Sequence, residues 1–276
     1  MKIRHTADIV RYKTMTNMEL LDSFTIRDLF SRGCISSVYS DIDRGIIGSA
    51  VPGSSDLLLE TSDAIRSDFF AERREIGVIN IGGSGQIKVD EKLFRLEKLD
   101  SLYIGRGSKD IAFNSTDPGQ PAKFYFVSYP AHKNYPTTHI KQKSVPRKEM
   151  GEQSRSNKRV IFQSIHPDRV ATCQLLMGFT MLDVGSVWNT FPPHTHLRRS
   201  EFYLYFDLAE DSRIFHFMGE QNSVKTLVLK NQDVALSPSW SMHCGAGTSA
   251  YSFIWAMGGE NQDFDDMDFI ESQDLA

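Results

Sequence analysis

The sequence has few features that would place the protein in a membrane or in an oxidising compartment. No apolar run approaches the roughly eighteen residues that a membrane-spanning helix requires. The first ten residues mix charged and single apolar side chains, unlike a signal peptide. There are only three cysteines, Cys34, Cys173 and Cys244, and they lie far apart in the chain. We therefore predict a reduced, cytoplasmic protein with no membrane partner.

The sequence also lacks an excess of basic residues. The net charge is -4 and the isoelectric point is near 6.1. Proteins that bind nucleic acid depend on lysine and arginine to replace the counterions of the phosphates, so we predict no nucleic-acid partner. A small anionic substrate remains compatible with this charge, because one or two local arginines are sufficient to bind it.

Helical periodicity is scarce, and short strand-like runs dominate. Such runs occupy residues 101–104, 122–127, 173–177, 202–206, 213–218, 225–229, 234–236 and 251–257. Short strands separated by turn residues at regular spacing predict an all-β sandwich or barrel. Residues 77–81 and 86–90 flank a glycine cluster, and we interpret them as a hairpin. Amphipathic helices are expected only near the termini, for example at 62–71.

Two halves of the chain resemble each other. Arg73-Arg74-Glu75 in the first half matches Arg198-Arg199-Ser200-Glu201 in the second, and residues 99–104 match 232–237. A repeat of this length is too long for a solenoid and predicts a duplicated barrel. Residues 133–158 are polar and contain two prolines, which is typical of a connection between domains. We therefore predict domains at 1–132 and 159–276, joined by 133–158.

Four residues of the second half form a candidate metal site: His194, His196, Glu201 and His243. Side chains two residues apart on a strand point to the same side, so the first two imidazoles are expected to lie together. A strand that begins at Glu201 places this residue, Tyr203 and Tyr205 on one face. Three imidazoles and one carboxylate suit a divalent transition metal and leave room for water or substrate.

The spacing of these residues resembles the paired metal motifs of cupins. Pro238 precedes His243 by five positions, as in the second cupin motif. The first half contains no histidine between His5 and His132. We therefore predict a first barrel without its own metal, which packs as a scaffold and closes exposed strand edges.

Segments along most of the chain carry a further resemblance: ERREIGVINIGG at 72–83, PAKFY at 121–125, WNT at 188–190, SPSWS at 237–241, GENQ at 259–262 and FDDMD at 264–268. Together they resemble the family of 5-keto-4-deoxyuronate isomerases. The resemblance implies a bicupin fold of two duplicated jelly-roll domains, one zinc ion on the four residues above, and a homohexamer. It also implies isomerisation of a small anionic keto-uronate to 3-deoxy-D-glycero-2,5-hexodiulosonate in pectin breakdown.

An isomerisation of this kind needs a group that moves a proton between adjacent carbons. We predict catalytic roles for Glu201, Glu260 and Asp266. The sequence leaves other bases open, namely Asp265, His216 and Tyr203, and a hydride shift needs no base. For the substrate carboxylate we predict Arg198 and Arg199, which lie beside the ligands and are able to form bidentate contacts.

Two other functions fit the same residues. Three imidazoles and a carboxylate also suit iron, which would fit a metal-dependent cupin dioxygenase. Oxygen consumption by the iron-loaded protein distinguishes that activity from isomerisation. A non-enzymatic sugar-binding bicupin is the third reading, although such proteins commonly lose metal ligands that this chain keeps.

Overall fold

A computed structural model describes residues 1–276, and β-strands make up most of its regular secondary structure. Strands run from β1 to β23 in chain order. Their bounds are β1 Lys2–Arg4, β2 Thr25–Ile26, β3 Cys34–Ser40, β4 Ile46–Val51, β5 Leu57–Leu58, β6 Arg74–Asn80, β7 Gly85–Val89, β8 Lys92–Leu96, β9 Ser101–Ile104, β10 Ile111–Ser115, β11 Phe124–Pro130, β12 Thr138–Ile140, β13 Lys148–Met150, β14 Arg159–Ile165, β15 Leu176–Leu182, β16 Trp188–Thr195, β17 Arg199–Phe206, β18 Ile214–Glu220, β19 Ser223–Leu229, β20 Val234–Ser237, β21 Met242–Gly247, β22 Ser252–Gly259 and β23 Asp268–Phe269.

The single α-helix, α1, spans Asn17–Phe24. Thr16 and Glu19 form a capping box at its start, a local helix signal that is present in the sequence. The helix expected at 62–71 is wrong, since that segment consists of turns. No helix in the structure has both the length and the apolar character that crossing a membrane requires. Short 3-10 helices occupy Arg11–Thr14, Ile42–Arg44, Gln142–Ser144, Gln153–Arg155 and Ser272–Asp274.

The chain forms two compact units, each built from three segments. The first unit comprises Met1–Arg4, Asp28–Pro146 and Ser164–Met177. The second comprises His5–Arg27, Arg147–Gln163 and Gly178–Ala276. The domain boundaries predicted from sequence stay a prediction, since compactness alone does not show which segments fold independently.

Both units contain the same arrangement of sheets, which confirms the predicted all-β fold with a duplicated barrel. One pair of sheets has the orders β1-β3-β4-β11-β6-β9-β12 and β5-β10-β7-β8. The other pair has the orders β13-β14-β15-β22-β17-β20-β2 and β19-β18-β21-β16-β23. In the first unit, inward residues such as Ile76, Val78, Ile87 and Phe113 form a continuous apolar core between the sheets.

The repeat extends to the turns. The Asp100 carboxylate accepts a hydrogen bond from the Glu97 backbone N–H at 3.1 Å, and Asp233 accepts one from Lys230 at 3.0 Å. The residue before each aspartate has a left-handed backbone, with φ 70° at Leu99 and 69° at Gln232. This shared geometry supports the match between 99–104 and 232–237 that the sequence suggests.

The hairpin predicted at 77–81 and 86–90 is wrong, although both strands exist. β6 pairs with β9 and β11, whereas β7 pairs with β8 and β10, so the glycine-rich turn carries the chain from one sheet to the other. Asn80 holds this turn, because its side chain accepts from the Gly82 N–H and donates to the Gly83 carbonyl. A Cβ at Gly83 would lie 2.1 Å from the Gln120 carbonyl oxygen, so glycine is required for this approach.

Glu75 does not occupy the position that corresponds to Glu201. Ile76 pairs with Ile104 on β9, and Glu201 pairs with Ser237 on β20, the strand equivalent to β9. Ile76 therefore faces the first barrel's core, as Glu201 faces the interior of the second, and Glu75 faces the opposite way.

Candidate metal centre

The four predicted ligands come from three strands of the second unit. His194 and His243 are directly paired on β16 and β21, in the five-stranded sheet. His196 follows the end of β16, and Glu201 lies on β17 in the seven-stranded sheet. Alternation along β17 turns Glu201 and Tyr203 toward the histidines, as predicted from the sequence. The two sheets thus contribute ligands from opposite sides.

The side chains form a compact and buried cluster. Their candidate ligand atoms all lie within 4.8 Å of one another. The Glu201 carboxylate oxygen Oε2 lies 3.1 Å from Nε2 of His196 and 3.1 Å from Nε2 of His243. Nε2 of His243 also lies 3.1 Å from Nε2 of His194. None of the four residues is more than 6% exposed.

The contacts of the imidazole rings show that a cation suits this cluster. His196 Nδ1 lies 2.7 Å from the Arg199 carbonyl oxygen, which only accepts, so Nδ1 carries a proton. In the neutral ring, Nε2 then presents a lone pair to the carboxylate of Glu201. Two acceptors at 3.1 Å repel each other unless a metal ion or an added proton lies between them. The donor set therefore fits a bound transition metal.

Burial favours the neutral imidazoles that bind metals. It lowers the pKa of His194 well below the usual value, and the neighbouring His243 adds to this effect. Burial likewise lowers the pKa of His243, although Glu201 opposes the shift. Burial alone would raise the pKa of Glu201, but the adjacent His243 and His196 outweigh it and hold that pKa well below its usual range. Neutral rings and an ionised carboxylate are the states of metal ligands.

Two groups orient the rings from behind. Ser237 Oγ lies 2.9 Å from Nδ1 of His243, and the Arg199 carbonyl accepts from His196. Such contacts fix the ring and leave Nε2 free for the metal. The sequence analysis missed Ser237, although its place directly before Pro238 in the second cupin motif could have indicated it.

A cavity of about 470 Å³ opens beside the cluster. His194, His196 and Glu201 form part of its wall, so a molecule inside it has direct access to the ligands. Most of the wall is apolar and aromatic, which is typical of small-molecule sites. Its other side chains include Tyr203, Thr180, Thr190, Phe191, Phe253, Trp255, Phe264, Asp265, Phe269, Lys148, Glu149 and Arg159.

Deeper in the barrel lies His216, one of the alternative bases. It faces inward, with Nδ1 2.7 Å from the Tyr205 hydroxyl, and it does not line the cavity. Burial lowers the pKa of His216 to about 3, so the ring is neutral. Cys244 is buried and pairs with Phe217 on β18. Because Phe217 is the neighbour of the inward-facing His216, Phe217 and Cys244 lie on the opposite face of this sheet. Cys244 is 3% exposed and lies in the core.

The other predicted site residues lie outside the cavity wall. Arg198 makes a bidentate contact with Asp266 at 2.6 and 2.7 Å and a further contact with Asp268. Arg199 is 1% exposed and donates to the Asp266 carbonyl and the Met257 sulfur. Glu260 is exposed on the surface. The catalytic and substrate-binding roles of these four residues stay predictions.

Replacing His243 with alanine is expected to lower metal retention at least about tenfold. Loss of a group that hydrogen-bonds to a metal ligand already lowers metal affinity about 10- to 100-fold, and loss of the ligand itself should lower it further. Elemental analysis of the dialysed variant measures this. The exposed His132→Ala variant serves as the control and should retain the wild-type metal content. A His243→Ala protein with stoichiometric metal would remove His243 from the ligand set.

Known proteins resemble this chain over nearly its whole length. The model of the KduI/IolB family matches residues 29–272. A 4-deoxy-L-threo-5-hexosulose-uronate ketol-isomerase of Lachnoclostridium phytofermentans is 50% identical over 275 residues, with 100% of each chain covered. The Bacillus subtilis protein of the same name is 46% identical with the same coverage.

Solved structures show the cupin fold. An IolB-like protein from Salmonella typhimurium has a TM-score of 0.65 at 14% identity, covering 82% of this chain and 87% of its own. Oxalate decarboxylase from Bacillus subtilis has a TM-score of 0.55 at 12% identity, covering 79% and 69%. Because the family model and the full-length relatives agree, this chain belongs to the KduI/IolB family.

Proposed function

We propose that this chain is a metal-dependent ketol-isomerase that converts 5-keto-4-deoxyuronate into 3-deoxy-D-glycero-2,5-hexodiulosonate during uronate breakdown. The observation that carries the proposal is the placement of three metal-ligand side chains in the wall of a cavity of small-molecule size. The ketol-isomerase name of relatives at 45–50% identity supports the reaction and the substrate class.

Zinc is the metal that we propose for the four residues. Three imidazole nitrogens and one carboxylate oxygen form a donor set that zinc commonly takes in proteins. A bound zinc ion acts as a Lewis acid that stabilises negative charge on the carbonyl and hydroxyl oxygens of a substrate. The family resemblance extends the proposal to a homohexamer in the cytoplasm.

The protein's own residues must position the sugar and move a proton. Burial and the adjacent Glu201 carboxylate raise the pKa of Tyr203 well above its usual value, so its phenol stays protonated and is able to donate to a substrate oxygen. Besides Glu201, the carboxylates on the cavity wall are Glu149 and Asp265. Asp265 lies in the segment that leads into β23, whose Phe269 pairs with His194. Asp265 is therefore our candidate for the proton-transferring group, ahead of Glu260 and Asp266.

Proton NMR of the keto-uronate incubated with the purified protein tests the proposal, with an oxygen electrode recording the same mixture. We expect conversion to the isomeric diketo acid without oxygen uptake. Oxygen consumption coupled to substrate loss would instead identify a cupin dioxygenase. Saturable binding of the uronate without any conversion would identify a sugar-binding protein.

A further inference from the structure

Two basic side chains line the cavity, Arg159 and Lys148. Neither was predicted as part of a site. Arg159 begins β14, and Lys148 begins β13, the edge strand next to it. The arginines predicted to bind a carboxylate, Arg198 and Arg199, do not line this cavity.

Arg159 carries a charge that has no partner. Its Nη1 donates to the Asn157 carbonyl at 2.8 Å, while Nε and Nη2 make no hydrogen bond and no carboxylate forms an ion pair with the side chain. The residue is half-buried, and burial lowers the pKa of its guanidinium group. A partly desolvated cation without an anion is unfavourable, whereas an anion in the cavity would compensate its charge.

Lys148 is also unpaired, but it is exposed. Its ammonium group lies 5.7 Å from the centre of the Phe264 ring, another residue of the cavity wall. Arg159 is therefore the stronger candidate for specific recognition, because its planar guanidinium matches the two oxygens of a carboxylate and Lys148 acts as a point charge.

The position of Arg159 relative to the metal ligands suits an acidic sugar. β14, β15, β22 and β17 are consecutive neighbours in one sheet, with Arg159 on the first and Glu201 on the last. Both side chains line the same cavity. An acidic sugar in this cavity is therefore able to present one end to the ligands and its carboxylate to Arg159.

The surface between these two ends suits a sugar chain. Thr180 of β15 and Trp255 of β22 lie on the wall between Arg159 and Glu201. A threonine hydroxyl both donates and accepts hydrogen bonds, so it fits a sugar hydroxyl or keto group. The indole ring offers an apolar face for the carbon chain.

We propose that Arg159 binds the carboxylate of the substrate through its free Nε and Nη2, assisted by Lys148, and thereby selects acidic over neutral sugars. This inference rests on the proposed function for the identity of the sugar. Arg198 and Arg199 instead hold the segment around Asp266 against the start of β17.

Steady-state kinetics of Arg159→Gln test the proposal on the keto-uronate and on its uncharged methyl ester. We expect KM for the uronate to rise about 10- to 100-fold, the range for losing hydrogen bonds to a charged group, with little change for the ester. Arg159→Lys should restore part of the affinity for the uronate. The exposed Arg95→Gln variant is the control and should have wild-type kinetics on both compounds.

A second readout avoids turnover altogether. Tryptophan fluorescence of chelator-treated protein, titrated with the uronate, should show binding to wild type that weakens in Arg159→Gln. An unchanged KM for the uronate in Arg159→Gln, or an equal loss for uronate and ester, would overturn the role of Arg159. If the wild-type protein fails to isomerise the uronate, the proposed function fails instead, so the two failures are distinguishable.

Discussion

Replacing Glu201 with glutamine is expected to lower turnover of the keto-uronate about 100-fold or more. Loss of a group that supports a metal ligand lowers activity up to about 100-fold, and the change of a ligand itself should lower activity at least as much. Glu201 is the only anionic member of the ligand cluster and contacts His196 and His243 at 3.1 Å. Glutamine keeps the shape of the side chain but supplies a neutral, weaker donor. The cluster then binds a divalent metal with less charge compensation.

The Glu201→Gln variant should remain folded, since glutamine fills the same volume. Turnover, metal content and thermal unfolding of the same preparation separate loss of metal from loss of fold. The exposed Glu210→Gln variant is the matched control and should retain activity and metal. Wild-type turnover by Glu201→Gln would exclude Glu201 as an essential ligand.

Replacing Glu75 with alanine is expected to destabilise the protein by about 3–5 kcal/mol, the range for removing one partner of a buried charged interaction. The Glu75 carboxylate is 0% exposed. It accepts hydrogen bonds from the backbone N–H groups of Cys173, Gln174 and Leu175 at 2.7, 2.9 and 2.9 Å and from the Tyr103 hydroxyl at 2.9 Å. Alanine leaves these buried donors without an acceptor, at about 1–3 kcal/mol each.

Differential scanning calorimetry measures this effect, and we expect Tm to fall by roughly 10 °C, since 1 kcal/mol corresponds to about 2–4 °C in a domain of this size range. The exposed Glu91→Ala variant of the same unit is the control. Metal content should be unchanged in both variants, because Glu75 lies outside the ligand cluster. A Tm equal to that of wild type would show that the four contacts contribute little.

The clustering of the four candidate metal ligands was predictable from sequence because their positions follow strand geometry. A separation of two residues places His194 and His196 on one side, and alternation along β17 turns Glu201 inward. The same logic failed for Glu75, because in the first half the glutamate follows the arginine pair directly, whereas Ser200 separates Glu201 from the arginine pair in the second half. A shift of one residue reverses the face of a strand, and only the pairing of β6 with β9 revealed that Ile76 is the equivalent of Glu201.

Other features depend on long-range contacts that local patterns do not contain. The glycine-rich segment after Asn80 predicts a turn, but the choice between a hairpin and a crossing to the other sheet depends on contacts with residues 120–123. The arginine beside the ligands in sequence, Arg198, is held by Asp266. Arg159, 42 positions before Glu201 in the numbering, reaches the cavity through the order of strands in the sheet. Proximity in sequence therefore predicted ligands within one motif but not the cation on the cavity wall.

Metal-dependent isomerisation is tested most directly by proton NMR of the keto-uronate with protein stripped of metal by a chelator and then reloaded with zinc. We expect the stripped protein to be inactive, and one equivalent of zinc per chain to restore turnover without oxygen uptake. Full turnover by protein shown by elemental analysis to be free of metal would contradict the assignment of the four-residue cluster as the catalytic centre.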